Sequence, residues 1–260
     1  DLHISQNAAL TSIQALSNLS LVGGDLNLSG NPLLATLSGL DKLETVNGYV
    51  LLYGDPALTD LSALGSLETV NGYFEVHDCD ALTTLSGLEG LAVLGEDLDL
   101  RDNAMLSDIS ALSTLSGLGA GGGGFALSIA LNPSLEALEG LGGLGEVNGH
   151  VQIVMNATLI DVSALESVTA INGDLTITGH AALCQSDAQA VADTVPISGA
   201  VNISGNADCV PVLEGCEDSG FGEAISGLEF TPSAPDECGE VTLSVMGTHP
   251  GLNYDFGTTN

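Results

Sequence analysis

Residues Asp25–Gly48 read DLNLSGNPLLATLSGLDKLETVNG, and residues Tyr49–Gly72 read YVLLYGDPALTDLSALGSLETVNG. The second stretch is the first again, altered, at an offset of 24. Carried along the chain, that offset puts turn starts at Asp1, Asp25, Tyr49, Tyr73 and Asp97. After an insertion they resume at Ala126, His150, Asp174 and Ala200. A fixed period of this length marks a solenoid, in which each repeat buries its apolar face only by stacking on its neighbours.

Each turn reads as one unit. Its second and fourth residues are apolar: Leu26 and Leu28, Val50 and Leu52, Phe74 and Val76, Leu98 and Leu100. Such alternation predicts a short strand with one face inward. A turn signal follows, clearest at Asn31-Pro32, Asp55-Pro56 and Asn132-Pro133, where proline presets φ and ends pairing. Apolar residues then recur at every third position, as in Leu34, Leu37, Leu40, Leu43 and Val46. That spacing fits a loosely wound coil or short strands separated by corners, and not a regular α-helix. Gly48, Gly72, Gly149 and Gly173 close their turns and are expected to supply a corner conformation that other residues avoid.

Stacking aligns like with like. The seventh position of successive turns reads Asn7, Asn31, Asp55, Cys79, Asn103, Asn132, Asn156, His180 and Asn206. An inward asparagine column would satisfy backbone groups buried at a corner, where ladder bonds run out. A serine column, Ser38, Ser62, Ser86, Ser110 and Ser163, is expected to bond nearby backbone in the same way. Asn-x-Ser/Thr sequons stand at Asn18, Asn27, Asn156 and Asn202.

Two basic residues, Lys42 and Arg101, face 34 acidic ones in a chain of 260, for a net charge of −32. Phosphate backbones and anionic membrane surfaces would be repelled, so nucleic acid is excluded as a partner. No run of apolar residues is long enough to span a membrane. The acid serves solubility in a salty medium or the binding of divalent cations. No D-x-[DN]-x-[DN]-G loop or Gly/Asp nonapeptide supports a specific calcium site. The expectation is no metal and no cofactor, with calcium the alternative. Of the five cysteines, Cys184, Cys209, Cys216 and Cys238 cluster toward one end, and Cys79 stands apart. Clustering suits disulfide staples and an oxidising compartment. Zinc is the rival reading, but no C-x-x-C pair occurs.

The repeat DLNLSGNPLLATLSGLDKLETVNG resembles the receptor L-domain repeat, the right-handed β-helix related to leucine-rich repeats. It is more similar still to bacterial surface and fungal cell-wall proteins that carry this repeat. The likeness runs from Asp1 to about Cys216. The stretch LCQSDAQAVADTVPISGAVNISGNADC, Leu183–Cys209, is similar to the closing turns of the bacterial members and implies a Cys184–Cys209 bridge. Those cysteines fall at neighbouring positions of adjacent turns, which agrees with it. The cysteine-bearing N-terminal cap and cysteine-rich partner domain of the receptors are missing from the sequence, so hormone binding is not carried over. The resemblance implies an all-β right-handed solenoid of about nine 24-residue turns, an extracellular location and a non-enzymatic role.

Strand residues that alternate outward form an exposed sheet. His3, Ser5, Asn27 and Ser29 make a plain polar surface. The next turns differ: Tyr49, Leu51 and Tyr53, then Tyr73, Glu75 and His77, then Asp99 and Arg101. Three of the four tyrosines fall on this patch. That is the composition of a surface that binds a glycan or a protein. Cross-strand aromatic pairing that only stabilises the sheet is the other reading. Ala130, Leu131, Val154 and Met155 form a second apolar strip that could extend the patch toward a partner subunit. His77 with Glu75 or Asp99 has the makings of an acid–base pair. An open sheet, however, does not exclude water and no nucleophile stands beside them, so no enzyme is expected. The run Gly119–Gly124 lacks the Lys-Ser/Thr of a phosphate loop and reads as a flexible bulge.

Beyond Cys216 the repeat stops. Residues 217–260 read as an acidic connector and a short β-rich tail, with Val241, Leu243 and Val245 alternating and Cys216–Cys238 as a second bridge. Asp1 begins its turn in phase, with no cap ahead of it, so either upstream residues or another copy would cover that end. The second option builds filaments head to tail, at roughly 40 Å per subunit from about 4.8 Å per turn. The expected function is therefore a secreted or cell-surface protein of structure or adhesion, with glycan or protein recognition on the tyrosine face as the alternative.

Overall fold

Alternation at the second and fourth positions makes strands, and the repeat lays them side by side. The computed structural model describes residues 1–119 and 124–209. Nine strands form one parallel sheet whose spatial order is the chain order: β1 (Leu2–Ser5), β2 (Leu26–Ser29), β3 (Val50–Tyr53), β4 (Phe74–His77), β5 (Leu98–Arg101), β6 (Phe125–Ala130), β7 (His150–Val154), β8 (Leu175–Thr178) and β9 (Val201–Ser204). Leu2 pairs with Leu26, Leu26 with Val50, Val50 with Phe74 and Phe74 with Leu98, each at the repeat offset. The register lengthens where Leu98 meets Leu127, across the insertion, and where Leu175 meets Val201. Two-residue parallel strands such as Thr45–Val46 and Thr69–Val70 stack as side sheets. The architecture is a parallel, solenoid-like β structure. Its first unit ends at Val210. The expected tail, the Cys216–Cys238 bridge and most of the Gly119–Gly124 bulge lie outside the described residues.

The three-residue spacing resolves into tight turns. Leu34 N–H donates to Asn31 O, Leu40 to Leu37 O and Leu43 to Leu40 O, at 2.9–3.0 Å. Bonds of this i+3 type bring every third side chain back to the same side. Leu34, Leu37, Leu40, Leu43 and Val46 are accordingly at most 1% exposed. In other turns the same segment tightens into a short 3-10 helix, as at Ser62–Leu64 and Ser110–Thr114. One continuous core of leucine, isoleucine and valine results.

Three expectations are corrected. The closing glycines do not adopt a positive φ. A Cβ at Gly72 would lie 2.8 Å from Gly48 C, and one at Gly173 would lie 2.4 Å from Gly149 O, so glycine is there because stacked backbones nearly touch. Positive φ belongs instead to the residue after each strand, including Gly30, Gly54, Asp78, Asp102, Leu131 and Met155. The serine column is exposed, and its hydroxyls make no hydrogen bond to backbone; its backbone N–H groups donate instead, Ser62 to Asp60 at 3.0 Å, Ser110 to Asp108 at 2.8 Å and Ser163 to Asp161 at 2.8 Å. The capping residue is the polar side chain two positions earlier, an Asx-turn. Finally, the closing segment is not wholly β: Gln185–Thr194 forms an α-helix, α1, burying Ala188 and Val191.

The column at position seven is a hydrogen-bonded stack. Asn31, Asn103, Asn132, Asn156 and His180 are fully buried, and Cys79 is a buried free cysteine. Asn103 N–H donates to Asn132 Oδ1 at 3.1 Å, and Asn132 N–H to Asn156 Oδ1 at 2.9 Å. Asn206 is half-buried and Asn7 is exposed. Asn7 lies beside the edge strand β1, so its amide turns to Ser5 O in its own turn and to Asn31 Oδ1. Among the sequons, Asn156 is enclosed by the core, while Asn18 and Asn202 are exposed. Cys184 and Cys209 form a disulfide, with Cα atoms 5.1 Å apart.

Candidate aromatic and acidic recognition face

β3, β4 and β5 hold the candidate residues in register. Val50, Leu52, Phe74, Val76, Leu98 and Leu100 point inward and are fully buried. Their alternates therefore stand outward at the fixed spacing of stacked strands. Leu51, Glu75 and Asp99 are direct cross-strand neighbours, as are Tyr53, His77 and Arg101.

Tyr49 and Tyr73, one residue ahead of their strands, stack with ring centroids 4.5 Å apart and planes 4° from parallel. That separation is close to the distance between paired strands, so the rings stand off the sheet with faces turned to each other. Asp25 and Asp97 hold the equivalent positions on either side. Burial pushes the Tyr73 hydroxyl up to about 12, and Tyr49, Glu75, Asp25 and Glu96 push in the same direction. Tyr53 is 44% exposed and lies 5.2 Å from the His77 ring, tilted by 36°. Its neighbour on the other side is the small Ser29.

Glu75 and Asp99 are like charges directly opposite each other, a destabilising pair. Arg101 offsets them: Nη2 lies 2.5 Å from Asp99 Oδ2 and 3.6 Å from Glu75 Oε1. One cation does not neutralise the group. Burial and then Asp99 hold the Glu75 carboxyl above its usual range, with Arg101 and His77 opposing. Burial, Glu96 and Asp99 raise Asp97 likewise. Asp99 Oδ1 and Arg101 Nε are buried without a hydrogen-bond partner.

His77 does not join Glu75 or Asp99. Its Nε2 lies 2.9 Å from Asp102 Oδ2 and 3.9 Å from Asp78 Oδ2. Composition alone missed these two aspartates because they sit after the strands, where Gly30 and Gly54 sit in earlier turns. A left-handed backbone there swings their side chains toward the outward face. The signal was an aspartate standing where the repeat has glycine. Donor atoms of His77, Asp78 and Asp102, and of Asp1, His3 and Asp25, come within 4.8 Å of one another, and these are the groups that could hold a cation among the described residues.

The second apolar strip adjoins the patch in the sheet, where Ala130 pairs with Arg101 and Val154 with Ala130. Ala130 is 7% exposed and Val154 half-buried on the sheet, while Leu131 and Met155 project from the corner after it. Phe125, its ring 5.7 Å from that of His150, is a further exposed aromatic that the repeat pattern did not single out. Comparisons with family models, curated proteins and solved structures found no match for this chain.

Proposed function

We propose that the protein is a secreted or cell-surface, non-enzymatic protein of structure and adhesion, built as a right-handed β-solenoid of about nine turns of the receptor L-domain type. The observation that carries this reading is the Tyr49–Tyr73 stack with exposed Tyr53 beside it, on a sheet held rigid from below by fully buried side chains. A flat, preorganised aromatic surface suits binding to another macromolecule. The Cys184–Cys209 disulfide fits an oxidising compartment, and no helix among the described residues is long and apolar enough to cross a membrane. His77 and its aspartates lie on an open sheet wetted by solvent, which suits recognition better than chemistry.

The test is attachment of protein-coated beads to cell surfaces, comparing wild type with Tyr53→Ala/Tyr73→Ala. Attachment reduced at least fivefold, with the fold intact by circular dichroism, supports the reading. Wild-type attachment by the variant sinks it and leaves the tyrosines as sheet packing. Light scattering and negative-stain imaging of the same preparations report on the end-to-end form of the structural role, in which copies of the chain assemble into filaments.

A further inference from the structure

We infer that the face around Tyr53, Glu75 and Asp99 binds a short basic peptide segment, presented by a partner protein through lysine or arginine side chains. This rests on the adhesion reading in taking that face as the contact surface, and it specifies the partner's chemistry.

Charge is the first support. Asp25, Glu75, Asp97 and Asp99 line the outward positions, with Asp78 and Asp102 at the corner beside them, against Arg101 alone. Glu75 and Asp97 are held above their usual carboxylate range by burial and by other carboxylates. A second cation over this group would relieve repulsion that Arg101 leaves in place.

Ring geometry is the second. Sugar recognition by stacking needs an open ring face. Tyr49 and Tyr73 cover one face of each other at 4.5 Å, and the face each ring keeps is turned toward a carboxylate, Asp25 for Tyr49 and Asp97 for Tyr73. Tyr53 keeps a face open toward Ser29, and the exposed face of a tyrosine attracts an ammonium or guanidinium group. Ring faces bordered by carboxylates suit a basic peptide better than a neutral glycan.

Size is the third. Five residues along the strand and four stacked strands span roughly 13 by 14 Å, or about 200 Å². Stable globular interfaces bury about 800 Å² on each side. A segment of a few residues fits the patch.

The test is fluorescence anisotropy of a labelled (Arg-Gly)4 peptide against the full chain in about 50 mM salt, where exposed charges are weakly screened. Glu75→Gln/Asp97→Asn/Asp99→Asn is expected to weaken binding at least tenfold. Tyr53→Ala, which keeps every charge, is expected to weaken it threefold or more. A control that removes as much charge elsewhere, Glu44→Gln/Glu68→Gln/Glu136→Gln, is expected to stay within twofold. Equal losses in face and control variants would mean that only net charge attracts the peptide, and the proposal falls. It falls also if Tyr53→Ala binds as wild type does. Binding of a neutral N-acetylglucosamine hexamer that is lost in Tyr53→Ala, with no peptide binding, assigns the face to a glycan. That outcome overturns the peptide proposal and leaves the adhesion reading standing.

Discussion

Asp55 Oδ1 accepts the backbone N–H of Asn31 at 2.6 Å, while Asp55 Oδ2, buried in the same column, has no donor. At its asparagines the column uses both ends of an amide. The amide nitrogen donates to a strand carbonyl one turn back: Asn31 to Ile4 O, Asn103 to Val76 O, Asn156 to Ile129 O, at 2.9–3.0 Å. By the same register Asp55 faces the carbonyl of Leu28. A carboxylate has nothing to offer it, and a carboxylic acid does. Burial raises Asp55 to about 6, against the hydrogen bonds from Asn31. The folded value lies above the unfolded one of 3.8. The protonated acid's contribution is therefore complete below the unfolded value and disappears as pH rises through about 6. Asp55→Asn supplies the missing donor at every pH. At pH 8 it should raise the unfolding free energy by about 2–3 kcal/mol, and at pH 4 by little. Urea unfolding at both values checks this, and an equal change at the two would refute it.

His180 answers in the opposite direction. Its Nδ1 accepts Asn156 N–H at 3.2 Å and its Nε2 lies 3.1 Å from Ile153 O, so the neutral ring with Nε2 protonated copies an asparagine. Burial lowers its pKa below 6.5. Here the folded value is depressed. The neutral ring's contribution is present above 6.5 and is lost as pH falls through the folded value. Asp55's contribution falls between 3.8 and about 6 while that of His180 rises toward 6.5, so the two oppose each other across mildly acid solution and partly cancel in the melting temperature of the wild type. His180→Asn should leave the Asp55 decline uncovered, with stability falling from pH 4 to about 6, and Asp55→Asn should leave the His180 rise toward 6.5. Thermal scans from pH 4 to pH 8 distinguish these shapes from a single shared one.

Two kinds of corner give opposite responses to small changes. At Gly72 an added methyl meets the backbone of the turn beneath at 2.8–3.0 Å, and backbone cannot step aside. Gly72→Ala should cost about 1–3 kcal/mol. Leu131 and Met155 hold φ at 59° and 55° with exposed apolar side chains. A left-handed backbone costs such residues about 1–2 kcal/mol, part of which glycine's greater unfolded-state entropy offsets. Met155→Gly should therefore be neutral or stabilising by up to about 1 kcal/mol. Loss of stability on that change would mean that the Met155 side chain holds the corner.

The strands were legible because burial at every second residue repeats at each turn, as in Leu26, Val50, Phe74 and Leu98. The outward face followed from the same alternation, which placed Tyr49, Tyr73, Glu75 and Asp99 together. What alternation does not carry is direction at the corners. The aspartates that His77 chose depend on the backbone of Asp78 and Asp102 being left-handed, which an aspartate does not announce. The closing glycines hid a spacing constraint because contact between stacked backbones leaves no mark on their own turn. The helix was written in the chain: Ala188, Val191, Ala192 and Val195 follow a helical period.

The Cys184–Cys209 bridge joins the entry of α1 to the residues after β9. Gln185 N–H donates to Ala207 O and Ala207 N–H to Leu183 O, both at 2.8 Å, so the two segments are already paired beside the sulfurs. The separation closed is 25 residues, which the chain-entropy account sets at about 3–4 kcal/mol. β9 is the last strand of the sheet among the described residues, and its residues are mostly exposed, unlike the fully buried inward positions of β3 to β5. Turns stacked in a line contact only their neighbours, so the effect of losing the bridge should stay local. In Cys184→Ser/Cys209→Ser, amide exchange should quicken across Gln185–Thr194 and Val201–Ser204 while β3 to β5 keep their protection. Exchange that quickens equally throughout would show that the whole sheet unfolds as one unit. Unchanged exchange at α1 and β9 would show that the paired backbone holds them without the disulfide.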